Sequence, residues 1–417
     1  MKFVHCADLH LGAPFKGLRS SNAEVADALG RATYRAFDRI LDLAISKGAG
    51  FVLFSGDIYD AKDRNLRAQL RFKDGLRRLD ERGIKAFVIH GNHDPLDGTA
   101  AALDWPPNTH TFLAQASPPC RISCNGEEAA IYGYSYPQQE VRQSVLSYYK
   151  REPGHDSAFQ IGLLHGSVGG DPNHDTYAPC SQADLAALRF DYWALGHVHS
   201  YQEIRKNDPA IVYPGTPQGL SPRETGAHGC CLVETAANRE VKIEFVPTDS
   251  IRWAAMDVSI DSMEGEGDLM DVVSSRLSDA VAKEGCSVIA RVRLVGRGPL
   301  HVLLQRQGSM DTLTEDLRRN GAGELFFWLD ELFDDTRPDV DREQLLEIQD
   351  ARGDFLRLCR EARQDQALRK SLQAHLGSVF NKRDLEGLIP TPEEGLDAWI
   401  DRAEALGLDL LLREVAS

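Results

Sequence analysis

The sequence predicts an α/β protein in three parts: a domain of parallel strands covered by helices over residues 1–250, a small α/β domain over 251–338, and a helical segment over 339–417. Three observations predict this. Short apolar runs alternate with helical patterns through the first 250 residues, the rhythm of βαβ units. The composition shifts near Pro247–Ile251. From Asp341 onward, apolar residues recur at helical spacing and the chain is rich in Leu, Arg, Glu and Gln.

Taken in order, Phe3-Val4-His5 opens the first strand. Asn22 to Lys47 reads as a helix, with Val25, Leu29, Phe37, Ile40, Leu41 and Ala44 on one face, and Gly48-Ala49-Gly50 ends it. Phe51-Val52-Leu53-Phe54 is a fully buried strand. Asn65 to Arg82 is a second helix closed by Gly83, and Ile84 to His90 a third strand. Trp105 to Ala130, rich in Pro, Ser and Asn, reads as loops and short strands. Further strands follow at Ala129–Tyr134, Phe159–His165, Tyr192–Leu195, Ile211–Tyr213 and Cys230–Glu234. The second part reads as a strand at Trp253–Ile260, a helix near Leu269–Lys283 and a strand at Ser287–Val295. The third carries Leu345, Leu346, Ile348, Phe355, Leu356, Leu358, Leu368, Leu372 and Leu376 at helical spacing.

At 417 residues the chain has room for two or three domains of about 150 residues. With 42% apolar and 26% charged residues, it is neither a disordered chain nor a disulfide-stapled scaffold. No stretch approaches the ~20 apolar residues of a membrane span. Eight cysteines without a CxxC pair, and an opening segment too short and polar for a secretory core, predict reduced thiols in a cytoplasm. The net charge of −16 argues against nucleic-acid binding through a basic surface. That acidity is uneven: residues 251–417 carry −12 and residues 1–250 only −4. A nucleic-acid substrate then requires local basic clusters or bound cations.

Polar residues gather where the strands end, the position at which open α/β sheets place their sites. The series is Asp8-Leu9-His10, Gly56-Asp57, Gly91-Asn92-His93-Asp94, His165-Gly166 and Gly196-His197-Val198-His199. It offers carboxylate, amide and imidazole donors and no thiolate. Such a set suits Mn²⁺, Fe²⁺ or Zn²⁺, and its size suits two ions. Each piece alone is weak, because strand ends are polar anyway and Gly-Asp is a turn dipeptide. Five in order, each after an apolar run, form a specific signal.

Those residues resemble the calcineurin-like metallophosphoesterase superfamily. His5 to Gly12, Gly56-Asp57-Ile58-Tyr59-Asp60 and Tyr213-Pro214-Gly215-Thr216-Pro217 resemble its SbcD-type DNA repair exonucleases. Ser221 to Gly226 followed by Gly229 to Glu234 is similar to the bacterial YhaO branch. The resemblance is strong over residues 1–250 and faint beyond. It implies a four-layer αββα sandwich with a small α/β cap domain. It implies one metal on Asp8, His10, Asp57 and His199, and another on Asp57, Asn92, His165 and His197, with Asp57 bridging. Manganese is the expected ion, ahead of Fe²⁺, Zn²⁺ or Mg²⁺. His93 is implied as the general acid–base, oriented by Asp94. The implied activity is a metal-dependent phosphodiesterase acting as a DNA exonuclease or endonuclease in repair. The implied partners are DNA, an SbcC/YhaN-type coiled-coil ATPase docked on the helical segment, and a second copy of the chain; no membrane is involved. The competing readings are a phosphoesterase for a small nucleotide or phosphoprotein, and a partner-docking scaffold.

Other residues carry blander expectations. His5 and His90 lie on strands and read as packing or supporting groups, and Cys6 as a small buried hydrophobe. His110, His155, His228, His301 and His375 have no motif context. His174 sits in a loop that could line the groove, and Arg223 is a candidate phosphate contact. Arg64, Arg67, Arg71, Arg77 and Arg78 lie on or beside one helix, read first as a solvated face and second as a DNA backbone contact.

Overall fold

The computed structural model describes residues 1–15, 18, 23–60, 66–97, 103–124, 126–152, 157–169, 176–236, 238–319, 324–339, 341–380 and 392–415. The chain runs β1 (Lys2–Cys6), α1 (Ala23–Ser46), β2 (Phe51–Ser55), α2 (Leu66–Asp80), β3 (Lys85–Ile89), β4 (Thr109–Thr111), β5 (Cys120–Cys124), β6 (Glu127–Gly133), β7 (Phe159–His165), α3 (Gln182–Ala187), β8 (Tyr192–Gly196), β9 (Gln202–Arg205), β10 (Ala210–Tyr213), β11 (Gly229–Thr235) and β12 (Val241–Pro247). It continues with β13 (Ile251–Ser259), α4 (Glu266–Glu284), β14 (Ser287–Val295), α5 (Leu300–Leu304), α6 (Ser309–Arg319), β15 (Phe327–Asp334), α7 (Arg342–Glu347), α8 (Ala351–Gln364), α9 (Gln366–Phe380) and α10 (Pro392–Val415).

Two six-stranded sheets carry the first unit, in the orders β12-β11-β1-β2-β3-β4 and β5-β6-β7-β8-β10-β9. Strands β1 to β4 are parallel, as are β6, β7, β8 and β10; antiparallel strands close the remaining edges. Because side chains alternate along a strand, β1 and β2 serve two cores. Phe3, Phe51 and Leu53 meet Ile131, Ile161, Leu163 and Ala194 between the sheets. Val4, Cys6, Val52 and Phe54 face α1 and α2 through Ile40, Leu41, Phe72 and Leu76. Beyond the second sheet, Leu164, Trp193 and Leu195 pack with Tyr149, Leu185 and Phe190. The layering is the αββα sandwich expected. Strands buried on both faces must be apolar throughout, which is why the short apolar runs were legible.

Compact units do not divide at residue 250. The first comprises Met1–Ala255, Ser278–Ala290 and Gly321–Asp330; the second comprises Met256–Leu277, Arg291–Asn320 and Glu331–Ser417. The reason lies in one apolar cluster of the first unit, where Ile251, Trp253, Ile289, Phe326 and Trp328 pack with Phe15, Val25, Ala32 and Leu220. Strands β13, β14 and β15 form a third sheet in that order. In the second unit, helices α8, α9 and α10 bury Cys359, Ala362, Leu396 and Ile400 together. Within them, Glu404, only 3% exposed, accepts ion pairs from Arg342 and Arg363. Among the described residues, no helix is long and apolar enough to cross a membrane.

Candidate active site

The donor-bearing loops leave β1, β2, β3, β7 and β8 at their C-terminal ends, where the two sheets face each other. The loops after β1 and β2 are laced together: Asp8 N donates to Gly56 O at 3.0 Å, His10 N to Asp57 O at 3.1 Å and Leu11 N to Ile58 O at 2.9 Å. Asp8, His10, Asp57 and His197 take positive φ values of 52°, 41°, 53° and 100°. Non-glycine residues in that region cost roughly 1–3 kcal/mol each and gather at functional sites. Two glycines are sterically required. A β-carbon on Gly91 would lie 2.3 Å from Asp57 Oδ1 and 2.7 Å from the His165 ring, and one on Gly196 would lie 1.9 Å from Ser55 O.

Donor atoms of Asp8, His10 and His199 lie within 4.8 Å of one another, and so do those of Asp8, Asp57 and His165. His165 Nδ1 faces Ser55 O at 2.9 Å; the carbonyl can only accept, so the proton sits on Nδ1. Its Nε2 then faces Asn92 Oδ1 at 2.9 Å and Asp57 Oδ2 at 3.4 Å. His10 Nδ1 donates to Asp60 Oδ1 at 3.1 Å, and His199 Nδ1 to Glu224 Oε1 at 2.7 Å. Their Nε2 atoms meet at 3.3 Å. Two imidazole lone pairs aimed at each other repel unless positive charge lies between them. Asp8 accepts the His197 N–H with both oxygens at 3.0 Å, and the His197 ring stands edge-on to His165 at 5.3 Å.

The electrostatics agree. Burial pushes the Asp8 carboxyl up from its ordinary value. Burial would also raise Asp57, but the imidazoles of His165, His10 and His93 hold it well below the carboxylate range. Burial would lower His165, yet Asp57 and Asp8 carry it up to about 9. A buried imidazole made that basic marks a place that attracts cations. With oxygen and imidazole donors and no thiolate nearby, this set fits hard or borderline divalent ions.

One expected contact is replaced. Asp94 does not orient His93. Its carboxylate accepts the N–H groups of Asp57 at 3.2 Å, Ile58 at 2.9 Å and Gly91 at 2.7 Å, and faces His90 Nδ1 at 3.1 Å. Asp94 is a buried staple for the loops after β2 and β3. His93 is oriented by Asp60, whose Oδ1 lies 2.8 Å from His93 Nδ1 and so serves His10 and His93 at once. That bond, joined by the Asp57 charge against the effect of burial, raises the His93 pKa. His93 is 44% exposed and lines a 220 Å³ cavity with His10, Asp60, His199 and Glu224. In the sequence, Asp60 and Glu224 stood out only as parts of motifs. A carboxylate three residues past Asp57 was the one local signal for Asp60; nothing local marked Glu224.

The remaining candidates separate cleanly. His5 is fully buried against Tyr192 and the Leu195 carbonyl, Cys6 is fully buried, and His301 faces Thr336. His228 is enclosed between the carbonyls of Thr216 and Glu224. His110 packs on Phe112, while His375 and Arg223 are exposed. Arg71 and Arg78 pair with Asp38, Arg77 pairs with Asp74, and Arg67 covers the Tyr34 ring, which supports the solvated-face reading of that helix. Arg64, His155 and His174 lie outside the described residues.

Residues 1–201 match the calcineurin-like phosphoesterase family, and residues 253–337 match the middle domain of metallophosphoesterase YhaO. The uncharacterized metallophosphoesterase YhaO of Bacillus subtilis is 33% identical over 347 residues, covering 83% of this chain and 84% of that protein. The DNA double-strand break repair protein Mre11 of Thermoplasma acidophilum is 26% identical over 60% of this chain and 66% of its own length. The SbcD component of the nuclease SbcCD of Bacillus subtilis is 25% identical over 61% of this chain and 72% of its own length.

Proposed function

The chain belongs to the YhaO branch of the calcineurin-like metallophosphoesterases, a family of metal-dependent hydrolases with a dinuclear site, and on that premise we propose that it is a two-metal phosphodiesterase that cuts DNA. The observation that carries this reading is the convergence of the His10 and His199 Nε2 atoms at 3.3 Å beside Asp8, with His93 held on Asp60 next to them. Asp8, His10, Asp57 and His199 would hold one ion; Asp57, Asn92, His165 and His197 would hold the other; Mn²⁺ fits these donors. Two such ions supply Lewis acidity to a phosphodiester and lower the pKa of a bound water.

The chain's own residues do the rest. Ser55, Asp60 and Glu224 accept from Nδ1 of His165, His10 and His199, which turns each Nε2 into the site, where an ion would take the place of any Nε2 proton. Asp60 holds His93 with Nδ1 as donor, and its raised basicity keeps a proton at hand for the leaving alkoxide. Asn92 adds an oxygen donor without a third charge beside Asp8 and Asp57. The SbcCD nuclease and Mre11 relatives support DNA as substrate and an SbcC/YhaN-type coiled-coil ATPase as partner. Eight free cysteines support a cytoplasmic location. In this reading the chemistry belongs to residues 1–250 and ATPase docking to the helical segment beyond residue 338.

The test compares linear DNA, a small diester and a monoester, with purified protein and Mn²⁺, with and without the ATPase. Cleavage of DNA that chelator abolishes is the expected result. Hydrolysis of the monoester alone would refute the DNA reading in favour of a phosphatase. Full activity in excess chelator would refute the metal centre.

A further inference from the structure

The turn formed by residues 219–226 touches both the donor set and β13. Glu224 sits at its centre, 18% exposed at the side chain. One carboxylate oxygen accepts from His199 Nδ1; the other accepts the N–H groups of Leu220 at 2.6 Å and Ser221 at 3.0 Å. The flanking backbone is tied to the same site. Thr216 N donates to His199 O at 3.0 Å, and the Thr216 hydroxyl donates to Asp8 O at 2.8 Å.

The other side of the turn is pinned by the chain beyond residue 250. Gly226 N donates to Trp253 O at 3.1 Å, and Thr225 forms a parallel bridge with Trp253. The Gln218 amide oxygen accepts Ser250 N at 2.9 Å, while its nitrogen donates to Ile251 O. Leu220 packs in the cluster that contains Ile251 and Trp253. An imidazole turns freely about its own χ2 unless its Nδ1–H is held. If the ring turns, its Nε2 leaves the position opposite His10.

We propose that Glu224 is a positioning residue for the ion at Asp8, His10 and His199, and that β13 holds Glu224 in place, so that metal affinity depends on chain beyond residue 250. This inference rests on the metal-centre reading above. The test is calorimetric titration of the full chain with Mn²⁺, alongside a thermal melt of each variant. Glu224→Ala should weaken one of two binding events by about 10–100-fold and leave the other unchanged, the usual effect of losing a carboxylate behind a ligating histidine. Glu224→Gln keeps one carbonyl, which can accept from His199 or from the Leu220 and Ser221 N–H groups but not from both, and should recover only part of that loss. Gly226→Ala should weaken the same event by a smaller factor. A β-carbon there meets nothing within 4 Å, but alanine resists the φ of 87° on which the turn depends. Wild-type affinity at both events in Glu224→Ala overturns the inference while leaving the metal centre standing. So does loss of both events with a lowered melt that Glu224→Gln fails to restore. A wild-type chain that takes up no Mn²⁺ overturns the metal-centre reading and this inference with it.

Discussion

Replacing Asp60 by alanine removes one oxygen that holds two imidazoles. Asp60 Oδ1 lies 2.8 Å from His93 Nδ1 and 3.1 Å from His10 Nδ1. Freed from it, His93 loses its fixed orientation, and a positioned acid contributes roughly 10²–10⁴-fold to rate, or about 2.7–5.4 kcal/mol of barrier. Freed from it, His10 loses its supporting carboxylate, which typically costs about 10–100-fold in metal affinity. The losses overlap, so turnover at saturating Mn²⁺ should fall about 10²–10⁴-fold while the apparent metal affinity falls by the smaller factor. Asp60→Asn keeps an acceptor oxygen at the same position and should retain turnover within about 10-fold of wild type by the same reasoning. The comparison variant is Asp94→Ala. Its carboxylate takes three backbone N–H groups and the His90 ring, and bonds to a charged acceptor contribute about 1.5–3 kcal/mol each. Losing even two of them is about 3–6 kcal/mol, a fall of ten degrees or so in a unit of this size. The substrate should be a dinucleoside phosphate, whose sugar alkoxide needs a proton to leave. Turnover, Mn²⁺ affinity and melting are read together. A stable, metal-replete Asp94→Ala with turnover down a thousandfold, beside a near-normal Asp60→Ala, would refute the assignment and return His93 to Asp94.

Three further outcomes are expected. Gly91→Ala should lose metal and activity together, because its β-carbon would sit 2.3 Å from Asp57 Oδ1; normal Mn²⁺ uptake in that variant would show that the loops can part. Removing metal with chelator should lower the melting temperature, since free ion at 100 times its Kd stabilises the fold by about 2.7 kcal/mol per site; identical melts with and without Mn²⁺ would contradict two bound ions. Deleting residues 341–417 should abolish co-purification with a coiled-coil ATPase of the proposed kind and spare small-diester hydrolysis; retained binding would move the docking surface elsewhere.

The sequence by itself carried the strand–loop alternation and the polar residues at strand ends, because both are local. A strand buried on both faces must be an uninterrupted apolar run, and the loop after it must turn sharply beside its donors. Hence Phe51–Phe54 and Phe159–His165 were legible as strands, and Asp8, His10, Asp57, Asn92, His93, His165, His197 and His199 as polar residues at or just past strand ends. Edge strands such as β12 and the short helices α5 and α6 lack that uniform burial and were not legible. Tertiary structure alone decided which carboxylate serves which imidazole. Adjacent in sequence, Asp94 seemed the natural partner of His93, but neighbouring side chains diverge, and Asp94 turned inward to backbone N–H groups. Asp60 reaches His93 across 33 residues of sequence, and Glu224 reaches His199 across 25, through loops that meet only once the sheets have packed. The same holds for the join near residue 250. Composition changes there, yet Trp253, Ile289 and Phe326 complete an apolar cluster with Phe15 and Leu220, because burial follows spatial proximity rather than position along the chain.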